Sequence, residues 1–251
     1  MQVSVTVITL NESARIEKML DSVQWASEIV VVDCGSTDGT QEIARAKNAR
    51  VLHHDFADYS SQKNHAQSQT KCEWVLNLDA DEICTPELAR EVQELPENRA
   101  SAYAIRRKNY FQNRWIRHSG WNPDYKIRLY KKSAAKWEGK VHESVHLNSS
   151  AEVPKLNHWI EHHTYRGFDR YLETVNRYAR LAAQQMNEQG KTANFSDLVF
   201  KPPAVFVKKL LLQGGILDGM PGFTIAALSA YGTFIRYALL REAINHSLNK
   251  K

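Results

Sequence analysis

The sequence predicts an α/β protein, a mostly parallel sheet flanked by helices, followed by a helical C-terminal extension. Three observations carry that expectation. Strand-like and helix-like patterns alternate through the first 95 residues, the apolar run Trp74-Val75-Leu76 leads through Asn77 and Leu78 into Asp79, Asp81 and Glu82, and the pattern beyond Gly167 is helical.

Residues 3–9 are β-rich, residues 13–25 carry Ile16, Met19, Leu20 and Val23 at helical spacing, and residues 29–32 are β-branched. This is a βαβ opening. The run Cys34-Gly35-Ser36-Thr37-Asp38-Gly39-Thr40 reads as a turn ending in small capping residues, ahead of a helix over 41–47. A strand near Val51, the strand of 73–82 and a helix from Pro86 to residue 95 complete the alternation. Strands separated by polar connections are expected over 102–111, 125–130, 141–147 and 158–163. Helices follow over 171–189, 205–217 and 223–244, with a break at Lys201-Pro202-Pro203. The boundary falls near 166, giving a domain of residues 1–166 and an extension of residues 167–251.

With 251 residues, 43% hydrophobic and 24% charged, the chain can bury a sizeable core and is not disordered in bulk. Cys34, Cys72 and Cys84 form no CxxC pair, so neither a disulfide framework nor a cysteine zinc site is expected, and a reducing cytosolic setting fits. Residues 1–10 read as a first strand and not as a secretory leader. The net charge of +5 is carried after residue 200, where Lys201, Lys208, Lys209, Arg236, Arg241, Lys250 and Lys251 meet only Asp218 and Glu242. A second excess spans 106–132, where Asp124 is the one acid. Anionic partners are expected at both places.

In a strand, Asp79 and Asp81 point to one face, and two like charges there are relieved by a divalent cation. A hard cation such as Mg²⁺ or Mn²⁺, held by one or two carboxylates, keeps positions free for substrate phosphates. The bland reading is a set of solvated acids. Asp33 is either a turn residue or an acceptor for a nucleoside at a strand end. No GxGxxG or GxxxxGK[ST] occurs, so a nucleotide is not held as in dehydrogenases or P-loop ATPases. His142-Glu143-Ser144-Val145-His146 matches the zinc-peptidase HExxH, which works only on a helix. Alternation of Val141, Val145 and Leu147 with polar residues favours a strand, with Glu143 among apolar neighbours. Burial of that kind raises a glutamate towards the range of a general base. The structural alternative pairs Glu143 with Arg128. Cations and aromatics mixed over 106–121 suit either a phosphorylated sugar acceptor or a single-stranded nucleic acid, the third functional class in view.

Thr9-Leu10-Asn11-Glu12, the run from Asp33 to Thr40, and Leu78-Asp79-Ala80-Asp81-Glu82 together strongly resemble the family-two glycosyltransferases with the GT-A fold. The resemblance continues through Trp121-Asn122-Pro123-Asp124, Lys126-Ile127-Arg128-Leu129-Tyr130, Val141-His142-Glu143 and Gly215-Ile216-Leu217-Asp218-Gly219. In that set the chain is similar to bacterial lipopolysaccharide core glucosyltransferases over nearly its whole length. The resemblance implies a GT-A, Rossmann-like sheet, with Thr9, Asn11 and Glu12 near uridine and Asp33 on the base. It further implies Asp79 toward ribose and metal, Asp81 on the metal, and Gln62 and Lys63 near the donor. Glu143 becomes the candidate base, Asp124 the second choice, and Trp121 and Arg128 the acceptor contacts. The implied reaction is inverting transfer of a hexose, glucose foremost, from a UDP-sugar to a lipopolysaccharide core heptose. The implied location is the inner leaflet of the cytoplasmic membrane, with no nucleic-acid partner.

The uncharged stretch 219–235 is seventeen residues and contains Pro221, short of the roughly 20 apolar residues that cross a bilayer. With Lys208, Lys209, Arg236 and Arg241 at its edges, it reads as a surface-lying amphipathic segment or as a helix packed on the catalytic domain.

Overall fold

The computed structural model describes residues 1–139, 143–149, 152–165 and 167–248. The N-terminal part runs β1 (Val3–Thr9), α1 (Ser13–Asp21), β2 (Glu28–Asp33), α2 (Thr40–Ala46), β3 (Arg50–His53), α3 (Tyr59–Ser68), β4 (Trp74–Asp79), β5 (Glu82–Cys84) and α4 (Pro86–Glu94). It continues with β6 (Ala102–Phe111), β7 (Arg114–Trp115), β8 (Asp124–Lys131), β9 (Ala135–Glu138), β10 (Ser144–Leu147) and β11 (Lys155–Tyr165). The helical part holds α5 (Phe168–Glu188), α6 (Phe195–Val207) and α7 (Met220–Leu248), with a π-helical turn Lys208–Leu212 and a 3₁₀ turn Gly215–Asp218 between the last two.

The main sheet has the order β3-β2-β1-β4-β8-β6-β11-β5. Its first four strands pair in parallel, while β8 joins β4 and β6 joins β8 antiparallel. Helices cover both faces of the parallel part, which is why β1, β2 and β4 are buried along nearly their whole length and carry mostly Val, Ile and Leu. On one face Val5, Val7 and Val31 meet Ile16, Met19 and Leu20 of α1, spaced as one helical stripe; on the other, Val30 and Val32 meet Ala66 of α3.

Helix α3 was not legible as a helix. Its buried residues are Ser60, Gln62, Lys63, Ala66 and Gln67, so no apolar stripe announces it. Those polar groups bind the backbone of the β9 region. Asn64 exchanges two hydrogen bonds of 2.9 Å with Trp137, Gln67 Nε2 donates to Ala135 O at 2.8 Å, and Ser60 Oγ donates to Gly139 O. The hairpin β9–β10 is thereby fixed against α3.

The chain divides into two compact units, one of Met1–Lys108 with Asp124–His162, the other of Asn109–Pro123 with His163–Lys251. The second unit therefore includes residues 109–123, which the sequence groups with the α/β domain. Within it α7 is the central helix, with Ile225 and Leu228 packed beside Phe111, Ile116 and Tyr171, and Tyr237 and Leu240 beside Ala183 and Ala193. Gly222 is required there, because a Cβ would lie 1.9 Å from Gly215 O. Asp218 is buried and accepts from the amides of Arg117 at 3.1 Å and His118 at 3.0 Å, which ties the 3₁₀ turn to the 117–119 loop.

Two sequence expectations are corrected in this unit. The pair Pro202-Pro203 lies inside α6 and does not break it. Each proline removes one backbone donor, but Lys201 just before them bonds Asp197 and the Tyr237 hydroxyl of α7, both at 2.9 Å, and holds the turn. The apolar C-terminal segment is also longer than seventeen residues: Met220–Ile244 has mean hydropathy 1.3 and is long and apolar enough to cross a membrane by length and composition. A third of its most apolar window is buried within the protein, and its inward face packs on α5 and α6.

Candidate active site

The register of the parallel strands brings the carboxyl ends of β1, β2 and β4 together, with Thr9 beside Asp33 and Ile8 beside Asp79. Open α/β sheets bind ligands at such an edge. Asp33 is fully buried there and accepts from Thr9 Oγ1 at 2.8 Å, from the amides of Gly35 and Ser36 at 3.0 and 2.8 Å, from Gln41 Nε2 at 2.7 Å and from Ser36 Oγ. Burial alone would raise its carboxyl, but the bonds from Ser36, Thr9 and Gly35 outweigh it and hold it below its ordinary range. Its acceptor sites are thus filled by the chain itself. The rim continues through Asn11, whose Oδ1 accepts from the Thr37 amide at 3.0 Å, and Glu12, whose amide donates to Thr40 Oγ1 at 2.8 Å. Asn11 adopts φ 56°, a left-handed conformation that asparagine tolerates, and this turns its amide toward Ser36 Oγ.

Asp79 ends β4 between two buried cations. Lys63, 2% exposed, places its ammonium 3.1 Å from Asp79 Oδ1, and Arg128 of β8 places a guanidinium nitrogen 2.5 Å from Asp79 Oδ2. Burial pushes the Asp79 carboxyl up; the Arg128 and Lys63 charges more than reverse this and keep it ionised far below the usual carboxylate range. The same Arg128 lies 2.6 Å from Glu82, which is fully buried, accepts from the Asp79 amide at 3.0 Å, and is also paired with Arg107 at 3.1 Å. Arg107 in turn grips Asp124 through two nitrogens at 2.9 and 2.7 Å.

Strand alternation does not extend through the acidic motif. Ala80 and Asp81 form a turn, so Asp79 and Asp81 are related by that turn and not by one strand face. Beyond it Glu82 opens β5, on the far edge of the sheet order. Asp81 has looser partners than Asp79, with Arg15 at 3.4 Å and His162 at 3.6 Å. Burial raises its carboxyl, and the His162 hydrogen bond and charge lead the effects that bring it below its ordinary value. Among the described residues no group of three or more His, Cys, Asp or Glu forms a metal cage. An ionised carboxylate with only long contacts, beside a second carboxylate, fits a hard cation that takes its remaining ligands from substrate phosphates. Asp81 with Asp79 would hold it.

Glu143 directly precedes β10 and meets Lys63 Nζ at 3.0 Å, so one ammonium joins it to Asp79. Its partner is Lys63 and not Arg128. Lys63 also sits 4.4 Å from the centre of the Trp137 ring. The remaining sequence candidates are distributed as follows. Gln62 is buried and turns toward His54, donating to His54 O at 3.0 Å. Arg128 is buried beneath Asp79 and Glu82 instead of facing an acceptor. Trp121 belongs to the second unit and packs edge-on to Tyr171 and Phe111. His142 lies outside the described residues, and His146 is on strand β10, which removes the helix that a zinc-peptidase HExxH requires. Arg15 was not singled out from the sequence, and Arg107 only as one of the cations mixed with aromatics over 106–121; these two and His162 reach the acidic motif by tertiary pairing.

The family model for Glycosyl transferase family 2 matches residues 4–159. A lipopolysaccharide core biosynthesis glycosyltransferase, LpsC of Rhizobium meliloti, is 28% identical over 97% of this chain and 97% of its own length. An uncharacterised glycosyltransferase of Rickettsia bellii is 30% identical over 96% of this chain and 86% of its own length. Among solved structures, S. aureus TarS 1-349 in complex with UDP-GlcNAc superposes with TM-score 0.50 at 17% identity, covering 98% of this chain and 92% of that one. That likeness gives the fold.

Two outcomes are expected. Arg128→Met leaves the buried Glu82 and the half-buried Asp79 without their shared cation and should cost about 3 kcal/mol in chemical denaturation. Asp33 is held below its ordinary value of 3.8, so its contribution to stability is present above that value and lost as pH falls through and beneath it. Urea midpoints should therefore be level above about pH 5 and fall in acid, and the fall should be shallower in Asp33→Asn; equal slopes would remove Asp33 from the account.

Proposed function

The chain belongs to glycosyl transferase family 2, and we propose that it is an inverting hexosyltransferase that moves a hexose, glucose foremost, from a UDP-sugar to a lipopolysaccharide core heptose at the inner face of the cytoplasmic membrane. The observation that carries this reading is the buried Lys63 ammonium, which reaches Asp79 and Glu143 from one position. The end-to-end match to LpsC supports the class of acceptor. The resemblance of the Thr9 to Glu12, Asp33 to Thr40 and Asp79 to Asp81 segments supports a UDP-sugar donor.

Uridine lies along the rim of Thr9, Asn11 and Glu12, and Asp33 acts by holding the loop of Gly35 to Thr37 that completes this rim. The diphosphate lies toward Asp79 and Asp81. A bound Mg²⁺ or Mn²⁺ supplies positive charge to the departing diphosphate. Glu143 takes the proton of the acceptor hydroxyl as that oxygen bonds to the anomeric carbon and the bond from that carbon to the UDP oxygen breaks, inverting the centre. Lys63 keeps the Glu143 carboxylate beside the donor end of β4. Asp124 is the weaker candidate for the base, because two guanidinium nitrogens of Arg107 occupy it.

Asp81→Asn is expected to abolish UDP release from UDP-glucose in the presence of core oligosaccharide while the circular dichroism spectrum is unchanged, and EDTA should do the same to the wild type. Full turnover in EDTA would remove the metal from the mechanism. For Glu143→Gln, calorimetric UDP-glucose binding should persist while transfer falls by roughly 10²–10⁴. Normal turnover in that variant would shift the base to Asp124.

A further inference from the structure

We propose that the exposed apolar face built from α6, the π-helical turn and the 3₁₀ turn inserts into the headgroup boundary of an anionic lipid membrane. It rests on the membrane placement above and names the element that makes the contact, a face that precedes the uncharged stretch 219–235. The face is continuous by helical spacing. Phe200, Ala204, Val207 and Leu211 recur every three or four residues along α6 into the π turn, all exposed, and Leu212, Ile216 and Leu217 extend the surface past it. Phe200 is 70% exposed, Leu212 80% and Leu217 68%, values far from those of a core. Helix α6 has no fully buried residue at all; it packs on α7 through Leu198, through Lys201 on the Tyr237 hydroxyl and through Phe206, whose ring meets Phe223 edge-on at 5.6 Å.

An apolar surface of this extent on one helix marks an interaction site. Charge decides among its occupants. Residues 198–217 contain Lys201, Lys208 and Lys209 and no acid. Asp197, just before, is engaged by Lys201, and Asp218, just after, is buried on the 117–119 loop. Lys208 therefore stands exposed on the face with no carboxylate near it in sequence to oppose it. Lys209 turns inward to Ser119 O at 2.9 Å, which leaves Lys208 as the cation that the face presents. A second copy placed symmetrically on this face would bring lysine toward lysine across an apolar contact. Anionic phosphate headgroups above acyl chains satisfy both the cation and the apolar residues. The 3₁₀ turn is anchored by the Asp218 bonds to the Arg117 and His118 amides, and its Ile216 and Leu217 are exposed beside that anchor.

The test uses the full chain and vesicles of phosphatidylglycerol and phosphatidylethanolamine against vesicles of phosphatidylcholine alone. Wild type should float with the anionic vesicles, and F200S/L211S/L212S should lose at least tenfold in vesicle affinity while its UDP binding and thermal midpoint stay unchanged. K208E should weaken binding to anionic vesicles and leave phosphatidylcholine binding unaltered. L212W should add a tryptophan signal that brominated lipids quench. If wild type binds no vesicle, the membrane placement itself fails together with this face. If the triple variant floats as well as wild type, only this face is refuted. A wild-type dimer in sedimentation equilibrium that the triple variant dissolves would assign the face to a second copy. Transfer to a soluble core oligosaccharide, measured on the same proteins, reads the catalytic assignment separately.

Discussion

Lys63 is the constraint on which the site depends. An ammonium that is 2% exposed is costly to bury without partners, and its partners are Asp79 at 3.1 Å and Glu143 at 3.0 Å. One carboxylate ends a parallel strand at the ligand edge of the sheet; the other stands at the entry to a separate hairpin. Holding both around one buried cation fixes the spacing between the donor end and the candidate base. The Trp137 ring beside Lys63 narrows the position further.

Several distant parts of the chain serve that arrangement. The polar face of α3 binds the backbone of β9, and β9 pairs with β10, so Glu143 arrives beside Lys63 by way of ordinary backbone hydrogen bonds. From the other side, antiparallel pairing of β8 with β4 aligns Leu129 with Leu76, which sets Arg128 next to Asn77 and within reach of Asp79 and Glu82. Glu82 is then satisfied by Arg128, Arg107 and the Asp79 amide. Such a network rigidifies a site when every member has a partner. Asp81 is held more loosely, by Arg15 at 3.4 Å and His162 at 3.6 Å, and that looseness suits the cation proposed for it.

Much of the parallel half was legible in sequence because its signals are local. β-branched runs marked β1 and β2, the stripe of Ile16, Met19 and Leu20 marked α1, and Pro86 marked the start of α4. The acidic motif and Glu143 were legible as chemistry, but their neighbours were not. Lys63 read as part of a polar loop because α3 buries polar atoms against backbone, a pairing that no periodicity records. Arg128 read as an acceptor contact or a partner of Glu143, whereas its burial depends on two carboxylates from other strands, Asp79 and Glu82. The turn at Ala80 and Asp81, closed by the local bond from the Asp79 amide to Glu82, and the continuation of α6 through Pro202-Pro203, where the Lys201 bridge to Tyr237 overrules local preference, were not legible in the pattern.

The most direct measurement is a double-mutant cycle in kcat for Lys63→Met and Glu143→Gln, read as UDP release from UDP-glucose with a core oligosaccharide acceptor. If Lys63 acts by holding the base, the double variant should be about as slow as Glu143→Gln alone. Penalties that multiply, with each substitution slowing the enzyme independently of the other, would contradict the account.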